Sequence, residues 1–377
     1  MRFTDMLRSY LAIAGTAVTA LGLAASVNCG GSTETTNTGG TGGGTSSSTT
    51  TSSTGGGNSG THAQPPGPGA SNPGDGTGSV TLAVSKLYLG NTKPDGTPDS
   101  QNGWKNFGFD LDGKISTATS TDLCKPRDNA ATKNVYPDGN DGIDNSFGKN
   151  ILPIILGLAS DAPEKINDSI AEGSFTIMLD MQKLGTGADY NPLTTQLYAG
   201  ANLGAAPKWD GTDKWPVVPE LLVDPTDITK GSKVTFPMSY VTGNTWVSGS
   251  KGNVVLSLSI SGFTLELTIA SAQIMVTLDS AHKKGTKGVI AGILETDKLI
   301  SELKKVAGAF DPSLCSGATI DSITSQIAQA SDIMKDGSQA PGTPCDGISI
   351  GLGFDADIVQ LGTVADPAEP KPDPCNP

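Results

Sequence analysis

The sequence predicts a mainly β protein of the α+β kind, built as an antiparallel β-sandwich or open barrel with an inserted two-helix hairpin. Apolar and polar residues alternate in successive short runs between residues 234 and 294, which is typical of two-faced strands joined by tight turns. Two amphipathic helical patterns follow, near residues 296–310 and 320–337, before a last alternating run at 348–361. Residues 30–79 are nearly all Gly, Ser, Thr, Asn and Pro, which predicts a disordered amino-terminal tether.

The elements upstream of residue 234 follow from the same periodicities. Alternating apolar residues predict strands that begin near Val80, Phe107 and Phe175. A helix is predicted to begin at Ser160, where a capping residue precedes Pro163, and to end at Gly173. Residues 180–233 are rich in Gly and Pro, so we expect long loops there with one short strand near Leu197.

The chain begins with the pattern of a secretory signal peptide. Basic residues precede an apolar or small-residue run from Leu11 to Val27, which is too short and too rich in Ala and Gly to favour a permanent membrane span. Cys29 follows this run and resembles the cysteine of bacterial lipoprotein signals, which is diacylated and becomes the first mature residue. Ser26 and Asn28 depart from that pattern, so simple cleavage after Ser26 is the alternative.

Composition and the signal resemblance divide the chain into four regions. They are a signal peptide at 1–28, a lipidated Cys29 with a disordered linker at 29–79, a β-rich globular domain at 80–365 and an extended tail at 366–377. A flexible linker of about 50 residues spans about 40 Å on average, which is enough to hold a folded body off a membrane. Gly30 after the cysteine implies an outer-membrane lipoprotein that faces the periplasm or the cell surface. Without lipidation, the protein is expected to be secreted.

The charge of the chain limits the class of partner. The 377 residues include 38 acidic and 25 basic side chains, which gives a net charge of −13. Such an acidic chain argues against nucleic acid as a partner and is compatible with cations. The lipid anchor implies a membrane partner, whereas the sequence identifies no protein or glycan partner.

The cysteines indicate an oxidising compartment. Besides Cys29 there are four, Cys124, Cys315, Cys345 and Cys375, which in an exported chain predict two disulfides with three possible pairings. We expect Cys315–Cys345, which would staple the helical segment, and Cys124–Cys375, which would hold the tail near the acidic stretch. Scarce histidine and the lack of a Cys-x-x-Cys motif argue against a zinc site.

The candidate functional site is an acidic, glycine-punctuated stretch at residues 136–148, together with the Asp-x-Asp-Gly cluster at 110–113. Their oxygen-bearing side chains are the predicted metal ligands: Asp110, Asp112, Asp138, Asn140, Asp141, Asp144 and Asn145. Calcium prefers carboxylate and amide oxygens presented by tight loops, so a calcium ion is the predicted cofactor. Neither cluster has the spacing of an EF-hand loop. The alternative is a pair of solvated Asx-turns that bind no ion.

Two resemblances bear on this site. The run 141–145 resembles the Asp-Gly-x-Asp-Asn repeats of some secreted proteins credited with metal binding, although it continues with Ser-Phe-Gly instead of Asp-Cys-Asp-Gly. The segments 108–113, 138–148 and 345–354 together resemble uncharacterised secreted lipoproteins of the myxobacterial type. That resemblance covers most of the chain after residue 80. It implies an exported lipoprotein and, because the family has no assigned activity, transfers no catalytic residue.

The sequence carries no familiar catalytic motif. It lacks a Gly-x-Ser-x-Gly elbow, a phosphate loop and a dinucleotide fingerprint, and His282 is the only histidine after the tether. We therefore predict a surface-tethered lipoprotein with a structural or binding role, stabilised by calcium and without catalysis. The alternative is an exported polysaccharide-acting hydrolase that uses loop carboxylates. A third hypothesis, a carrier of apolar ligands with the helix hairpin as lid, requires a large apolar cavity between sheet and hairpin.

Overall fold

A computed structural model describes residues 61–260, 263–367 and 373–375 of the chain. The predicted signal peptide, Cys29 and most of the predicted linker lie outside the described residues. Among the described residues, no helix combines the length and the apolar character needed to cross a membrane.

Strands make up most of the regular structure. In chain order they are β1 (Ser79–Tyr88), β2 (Thr176–Gln182), β3 (Tyr190–Gly200), β4 (Lys214–Val217), β5 (Leu222–Asp224), β6 (Asp227–Ser232), β7 (Val234–Thr242), β8 (Thr245–Val247), β9 (Gly252–Ile260), β10 (Phe263–Leu278), β11 (Lys284–Glu295) and β12 (Gly347–Val364). The α-helices are α1 (Thr132–Val135), α2 (Leu152–Leu158), α3 (Ala162–Ala171), α4 (Thr296–Phe310) and α5 (Ala318–Gln329).

Eight strands close into an antiparallel barrel in the order β1, β2, β3, β7, β8, β10, β11, β12 and back to β1. Closure depends on β1, where Leu82 pairs with Leu179 of β2 on one side and with Ile358 of β12 on the other. The predicted mainly β, antiparallel fold is confirmed. The sheet is a closed barrel rather than a sandwich or an open barrel, because pairing of β1 with β12 satisfies backbone groups that an open edge would expose.

The remaining strands extend this barrel. β9 pairs antiparallel with the first part of β10, and β4 pairs parallel with the end of β12. β5 and β6 form a separate two-stranded sheet. The short strand predicted near Leu197 is confirmed as β3, whose 11 residues are held by β2 and β7 on either side. The prediction of loops in the rest of 180–233 is wrong for β4, β5 and β6. Pairing with neighbours outweighs the unfavourable local composition of β3.

Apolar side chains from every part of the barrel form the main hydrophobic core. Five examples from different strands are each at most 3% exposed: Leu82, Leu179, Ile274, Ile290 and Leu352. Inward-facing side chains normally fill a barrel of this strand number. Ile166 and Ile170 of α3 join the same core, and the predicted helix between Ser160 and Gly173 is confirmed.

The predicted two-helix hairpin is confirmed as α4 and α5, inserted between β11 and β12. Leu299 of α4 and Ile327 of α5 are buried against the barrel core. The second helix ends at Gln329, eight residues before the predicted end at Gly337. It ends there because Ile333 forms a β-bridge with Gly347, so the backbone that follows α5 pairs with the start of β12.

The four predicted disulfide cysteines do form two disulfides, which are typical of an extracellular or periplasmic location. The expected pairing is wrong, since the bonds are Cys124–Cys345 and Cys315–Cys375. Backbone hydrogen bonds explain the first: Lys125 donates to Thr343 (2.7 Å), and Cys345 donates to Lys125 (2.9 Å). These bonds lay the two segments side by side, with Cys124 and Cys345 Cα atoms 5.2 Å apart.

The second disulfide ties the tail to the helix hairpin. Cys315 and Cys375 have Cα atoms 5.1 Å apart, next to Gly308 of α4. A side chain at Gly308 would collide with both sulfur atoms, so glycine leaves the space for the bond. The end of the tail is therefore held at α4 and not, as expected, beside the acidic stretch.

Residues 61–78, which we call the strap, belong to the folded domain. The sequence assigns them to the disordered linker, yet Asn72 and Asn191 exchange two backbone hydrogen bonds of 2.7 Å each. Asp75 accepts a hydrogen bond from the Tyr190 hydroxyl (2.8 Å). Polar pairing with the start of β3 orders this segment although it has almost no apolar side chains to bury, and the domain begins before residue 80.

Candidate metal centre

Two segments bring the acidic residues together. Residues 107–114 run beside residues 138–144, and the amide of Asp144 donates to the Phe109 carbonyl (3.0 Å). The sequence predicts a strand that begins near Phe107, whereas residues 107–111 are irregular. Their backbone groups pair with the acidic stretch and with the strap instead of with a sheet. Asp110 of the first segment and Asp144 of the second consequently lie close together.

Three carboxylates form a group that can hold a metal ion. Asp110, Asp112 and Asp144 each offer one oxygen, and the three oxygens lie within 4.8 Å of one another. Asp110 and Asp144 are buried, with 2% and 4% of their surface exposed, whereas Asp112 is partly buried. Three converging carboxylate oxygens are a suitable start for a hard-cation site, which needs six to eight oxygen ligands for calcium.

Backbone amides fix the orientation of Asp110. Its Oδ1 accepts hydrogen bonds from the amides of Gly113 (2.7 Å) and Lys114 (3.1 Å), and its Oδ2 contacts Nδ1 of His62 from the strap. Gly142 has a positive φ of 79°, and a Cβ there would lie only 3.3 Å from Asp110 Oδ2. Glycine therefore allows the acidic stretch to approach this carboxylate closely.

The other two members of the group are also anchored. Asp112 accepts hydrogen bonds from the Lys114 amide (2.8 Å) and from Nε2 of Gln339 (2.7 Å). Asp144 Oδ2 accepts one from the Leu111 amide (2.7 Å). Asp112 and Asp144 are therefore oriented by neutral donors, whereas Asp110 is oriented by two backbone amides and by the His62 imidazole.

Two further aspartates act on the group electrostatically. Burial first, and then repulsion from Asp112, Asp332 and Asp110, raise the pKa of Asp138 to about 8. The pKa of Asp332 rises to about 6 through burial, although hydrogen bonds from Ser349 oppose the rise. The acidic environment therefore extends beyond the three converging carboxylates and favours the protonated form of these two groups.

The pKa values of Asp144 and Asp112, two members of the group, are also raised. Burial raises the pKa of Asp144 well above its usual value, and repulsion from Asp112, Asp138 and Asp332 adds to the effect. Burial is also the main reason that the pKa of Asp112 is raised. Such repulsion between carboxyl groups is what a bound cation would relieve.

One ammonium group faces this cluster. Lys149 Nζ donates to the Pro137 carbonyl (2.8 Å) and lies 5.4 Å from the centroid of the Trp104 ring. Burial lowers the pKa of Lys149 to about 8, while Asp332 and Asp138 act against the lowering. A second ammonium group, that of Lys114, also acts on the group and opposes the rise in the pKa of Asp112.

Neither family models nor known proteins identify this chain. A scan against family models finds no match, and searches of curated proteins and of solved structures find no similar protein. The chemistry of the centre is therefore argued from its own residues.

Asn145, a predicted metal ligand, is a structural clamp instead. Its Nδ2 donates to the carbonyls of Trp104 (3.1 Å), Phe107 (2.9 Å) and Gly351 (2.9 Å). Its Oδ1 accepts from the amides of Gly148 (2.9 Å) and Gly351 (3.0 Å). Both lone pairs of the amide oxygen are occupied, so none remains for a metal ion.

Asn140 and Asp141 are also not members of the group. Both are exposed, and Asn140 donates to the Asn106 side chain (3.0 Å). Asp141 has a positive φ of 54° in the turn that ends at Gly142. This turn directs the chain back toward Asp144. Residues 140–141 therefore form the turn and do not belong to the group of converging carboxylates. Their Asx-turn character, the alternative reading of the sequence, describes them better.

Sequence reasoning missed four contributors to the centre: His62, Lys149, Asp332 and Gln339. His62 lies in the part of the chain predicted to be disordered. Asp332 and Gln339 lie in the region where the second helix was predicted to continue or end. No local pattern distinguishes these residues, because they reach the centre through tertiary contacts alone.

We predict that Asn145→Ala destabilises the protein far more than Asn140→Ala. The first change leaves buried carbonyl and amide groups without partners, whereas the second removes one exposed hydrogen bond. The expected loss in free energy of unfolding is about 3 kcal/mol for Asn145→Ala and below about 0.5 kcal/mol for Asn140→Ala. Urea unfolding monitored by circular dichroism measures both. Equal effects would contradict the clamp.

We also predict that the metal-free protein loses stability as pH rises. The folded-state pKa values of about 8 for Asp138 and about 6 for Asp332 exceed the usual 3.8. Between these limits the folded state holds protons that the unfolded state has already released, so the free energy of unfolding falls with rising pH. Urea unfolding in EDTA at pH 5 and at pH 8 measures the change.

The control for this pH effect is a pair of variants. Asp138→Asn removes one of the titrating groups and should reduce the pH dependence, whereas the exposed Asp141→Asn should leave it unchanged. Metal-free wild-type protein that is more stable at pH 8 than at pH 5 would show that the carboxyl groups do not repel as described.

Proposed function

We propose that this protein is an exported, lipid-tethered barrel whose acidic centre binds a calcium ion, and that the ion stabilises the loops around it. The observation that carries the proposal is the convergence of Asp110, Asp112 and Asp144 oxygens within 4.8 Å. The role is structural or binding, and no reaction is assigned to the chain.

Ligand chemistry favours calcium over other common ions. The three converging groups are all carboxylates, which suit hard cations, whereas zinc sites usually contain histidine or cysteine. The ligands come from irregular segments, and calcium tolerates irregular geometry better than magnesium does. Asp138, whose pKa is raised by burial and then by neighbouring carboxylates, is available to add a carboxylate when the ion displaces its proton.

The hydrolase alternative is disfavoured by burial. A glycosidase needs two carboxyl groups that flank a sugar linkage. Asp110 and Asp144 expose only 2% and 4% of their surface, so a polysaccharide chain cannot reach them in this conformation. The raised pKa values need no catalytic explanation, since burial and repulsion within an ion site account for them.

Among the residues that the structure describes, the groove beside the helix hairpin does not support the apolar-carrier hypothesis. The groove between α4 and the neighbouring β10 and β11 has a volume of about 150 Å³. Its lining combines charged and apolar residues: Glu266, Leu267, Leu294, Glu295, Lys298, Leu299 and Glu302 are among them. A groove this small and this charged does not suit an apolar ligand.

The tether supports a location at a membrane surface. The two disulfides fit an exported protein, and the amino-terminal sequence resembles a lipoprotein signal that ends at Cys29. In this proposal the lipid holds the chain in the outer membrane, and the Gly- and Ser-rich linker lets the barrel stand clear of it. Membership of the myxobacterial type of uncharacterised lipoproteins remains part of the proposal.

We predict that calcium raises the melting temperature of the wild-type protein and fails to do so for Asp144→Asn. A ligand at one hundred times its Kd adds about 2.7 kcal/mol to the free energy of unfolding. Asp144→Asn removes a charged ligand from the group and, in EDTA, should melt no lower than the wild type because repulsion is relieved. Thermal melting in EDTA and in excess calcium measures both effects.

Asp141→Asn is the matched control, since it removes a carboxylate from the same stretch but outside the group. It should keep the wild-type response to calcium. A wild-type protein whose melting temperature and calorimetric titration are both unaffected by calcium would contradict the proposal. Turnover on a panel of polysaccharides that is lost in Asp144→Asn would instead support the hydrolase.

For the anchor, we predict that Cys29→Ser moves the protein from the membrane fraction to the soluble fraction of a Gram-negative host. Without the thiol, the lipid has no attachment point. Intact mass spectrometry of the wild-type protein should show a diacylated chain that begins at Cys29. An unmodified chain that begins at Val27 would establish simple cleavage after Ser26 and contradict the lipid anchor.

A further inference from the structure

The strap contacts the acidic centre at its first described residues. Nδ1 of His62 contacts Oδ2 of Asp110, and Nε2 of Gln64 donates to the Asp110 carbonyl. Farther along, the Tyr240 hydroxyl donates to the Pro66 carbonyl (2.6 Å). The end of the tether is therefore attached to the same residue that supplies a carboxylate to the centre.

Ala63 connects the two acidic segments. Its amide donates to the Asp141 carbonyl (2.8 Å), and its carbonyl accepts from the Asp110 amide (2.8 Å). These two hydrogen bonds form only while residues 110 and 141 keep their present separation. The geometry of the strap and the geometry of the centre thus depend on one another.

His62 acts through Asp110 and is not itself one of the converging ligands. The three oxygens that lie within 4.8 Å of one another belong to Asp110, Asp112 and Asp144, and no histidine nitrogen is among them. His62 is therefore a positioning residue that fixes the Asp110 carboxylate from the side of the strap, with its own side chain 38% exposed. Partners of this kind commonly change metal affinity 10- to 100-fold when they are removed.

We propose that the beginning of the strap is a calcium-dependent clasp, so that occupancy of the centre decides whether the tether's end is docked on the barrel. This inference rests on the proposed calcium site and adds its regulation. Calcium attracts Asp110 and Asp144 and brings their segments to the separation that Ala63 bridges. Without the ion this attraction is lost, so the separation is no longer held and the bonds to Ala63 open more often.

The clasp acts on a limited part of the strap. Asn72 pairs with Asn191 far along the chain from the acidic residues, and Asp75 is held by Tyr190. Tyr240 also holds the Pro66 carbonyl, and Asn191 holds the Gly69 carbonyl (2.8 Å). Loss of calcium therefore frees only residues 61–65 and leaves the rest of the strap in place. The freed residues add at most about 18 Å to the reach of the predicted linker.

The test measures amide hydrogen exchange and calcium affinity on the full mature protein. Calcium in excess should slow exchange at the Ala63 amide about tenfold relative to EDTA. The Asn72 amide, which is bonded to Asn191 in the same strap, should not respond and serves as the internal control. His62→Ala should weaken calcium binding in calorimetry about tenfold and remove the effect of calcium on Ala63.

Two features separate positioning by His62 from a general loss of structure. His62→Asn keeps a nitrogen donor near Asp110 and should restore most of the calcium affinity. Because coupling between two binding events is reciprocal, the factor by which calcium strengthens docking should equal the factor by which docking strengthens calcium binding. Disagreement between the two factors would overturn the clasp.

The outcomes distinguish the clasp from the proposed function. If the wild type binds calcium but exchange at Ala63 is unchanged, or if His62→Ala binds calcium as tightly as the wild type, the clasp is wrong and the calcium site stands. If the wild type binds no calcium in calorimetry, the proposed function is wrong and the clasp is rejected with it.

Discussion

A single buried side-chain amide holds the acidic centre against the barrel. Asn145 bonds to the carbonyls of Trp104 and Phe107 on one segment and to both backbone groups of Gly351 in β12. Gly351 accepts this approach because it has no side chain, and a Cβ there would collide with the Phe107 carbonyl. Asp144 is the neighbour of Asn145 in the chain, so the hydrogen bonds of Asn145 fix the position of the acidic segments.

The electrostatics of the centre depend on how the carboxylates are placed and oriented. Backbone amides and Gln339 orient Asp110, Asp112 and Asp144, but they supply no full positive charge. Lys149 and Lys114 supply ammonium groups that act on the cluster, and the pKa of Lys149 is itself lowered by burial. In the proposed calcium site, such an arrangement would lower the stability of the ion-free fold, as is common at functional sites.

Features of the fold that rest on local sequence patterns could be predicted, whereas those that rest on contacts between distant residues could not. Alternation of apolar and polar residues is a local signal, so the strands from Val234 to Leu294 and the helices α4 and α5 could be read from the sequence. Closure of the barrel and the pairing of Cys124 with Cys345 depend on contacts between residues far apart in the chain. Composition describes the strap as disordered, but individual hydrogen bonds such as those of Asn72 fix it.

The same distinction applies to the site. Asp110, Asp112 and Asp144 could be singled out because they stand beside glycines in short acidic runs. The role of Asn145 could not, since a clamp and a ligand require the same side chain and differ only in what surrounds it. Asp332 and His62 carry no local signal, and only the folded chain brings them near Asp110 and Asp138.

Gln339 links this centre to the redox chemistry of the chain. Its Oε1 accepts from the Cys124 amide (2.8 Å), and its Nε2 donates to Asp112 and to the Asp332 carbonyl (3.1 Å). Cys124 is held in place by its disulfide bond to Cys345. Oxidation of these two thiols therefore fixes the residue whose amide donates to Gln339. A chain held in a reducing compartment would pair its strands and still leave the acidic loops without a settled geometry. In the proposed function, disulfide formation would therefore precede calcium binding.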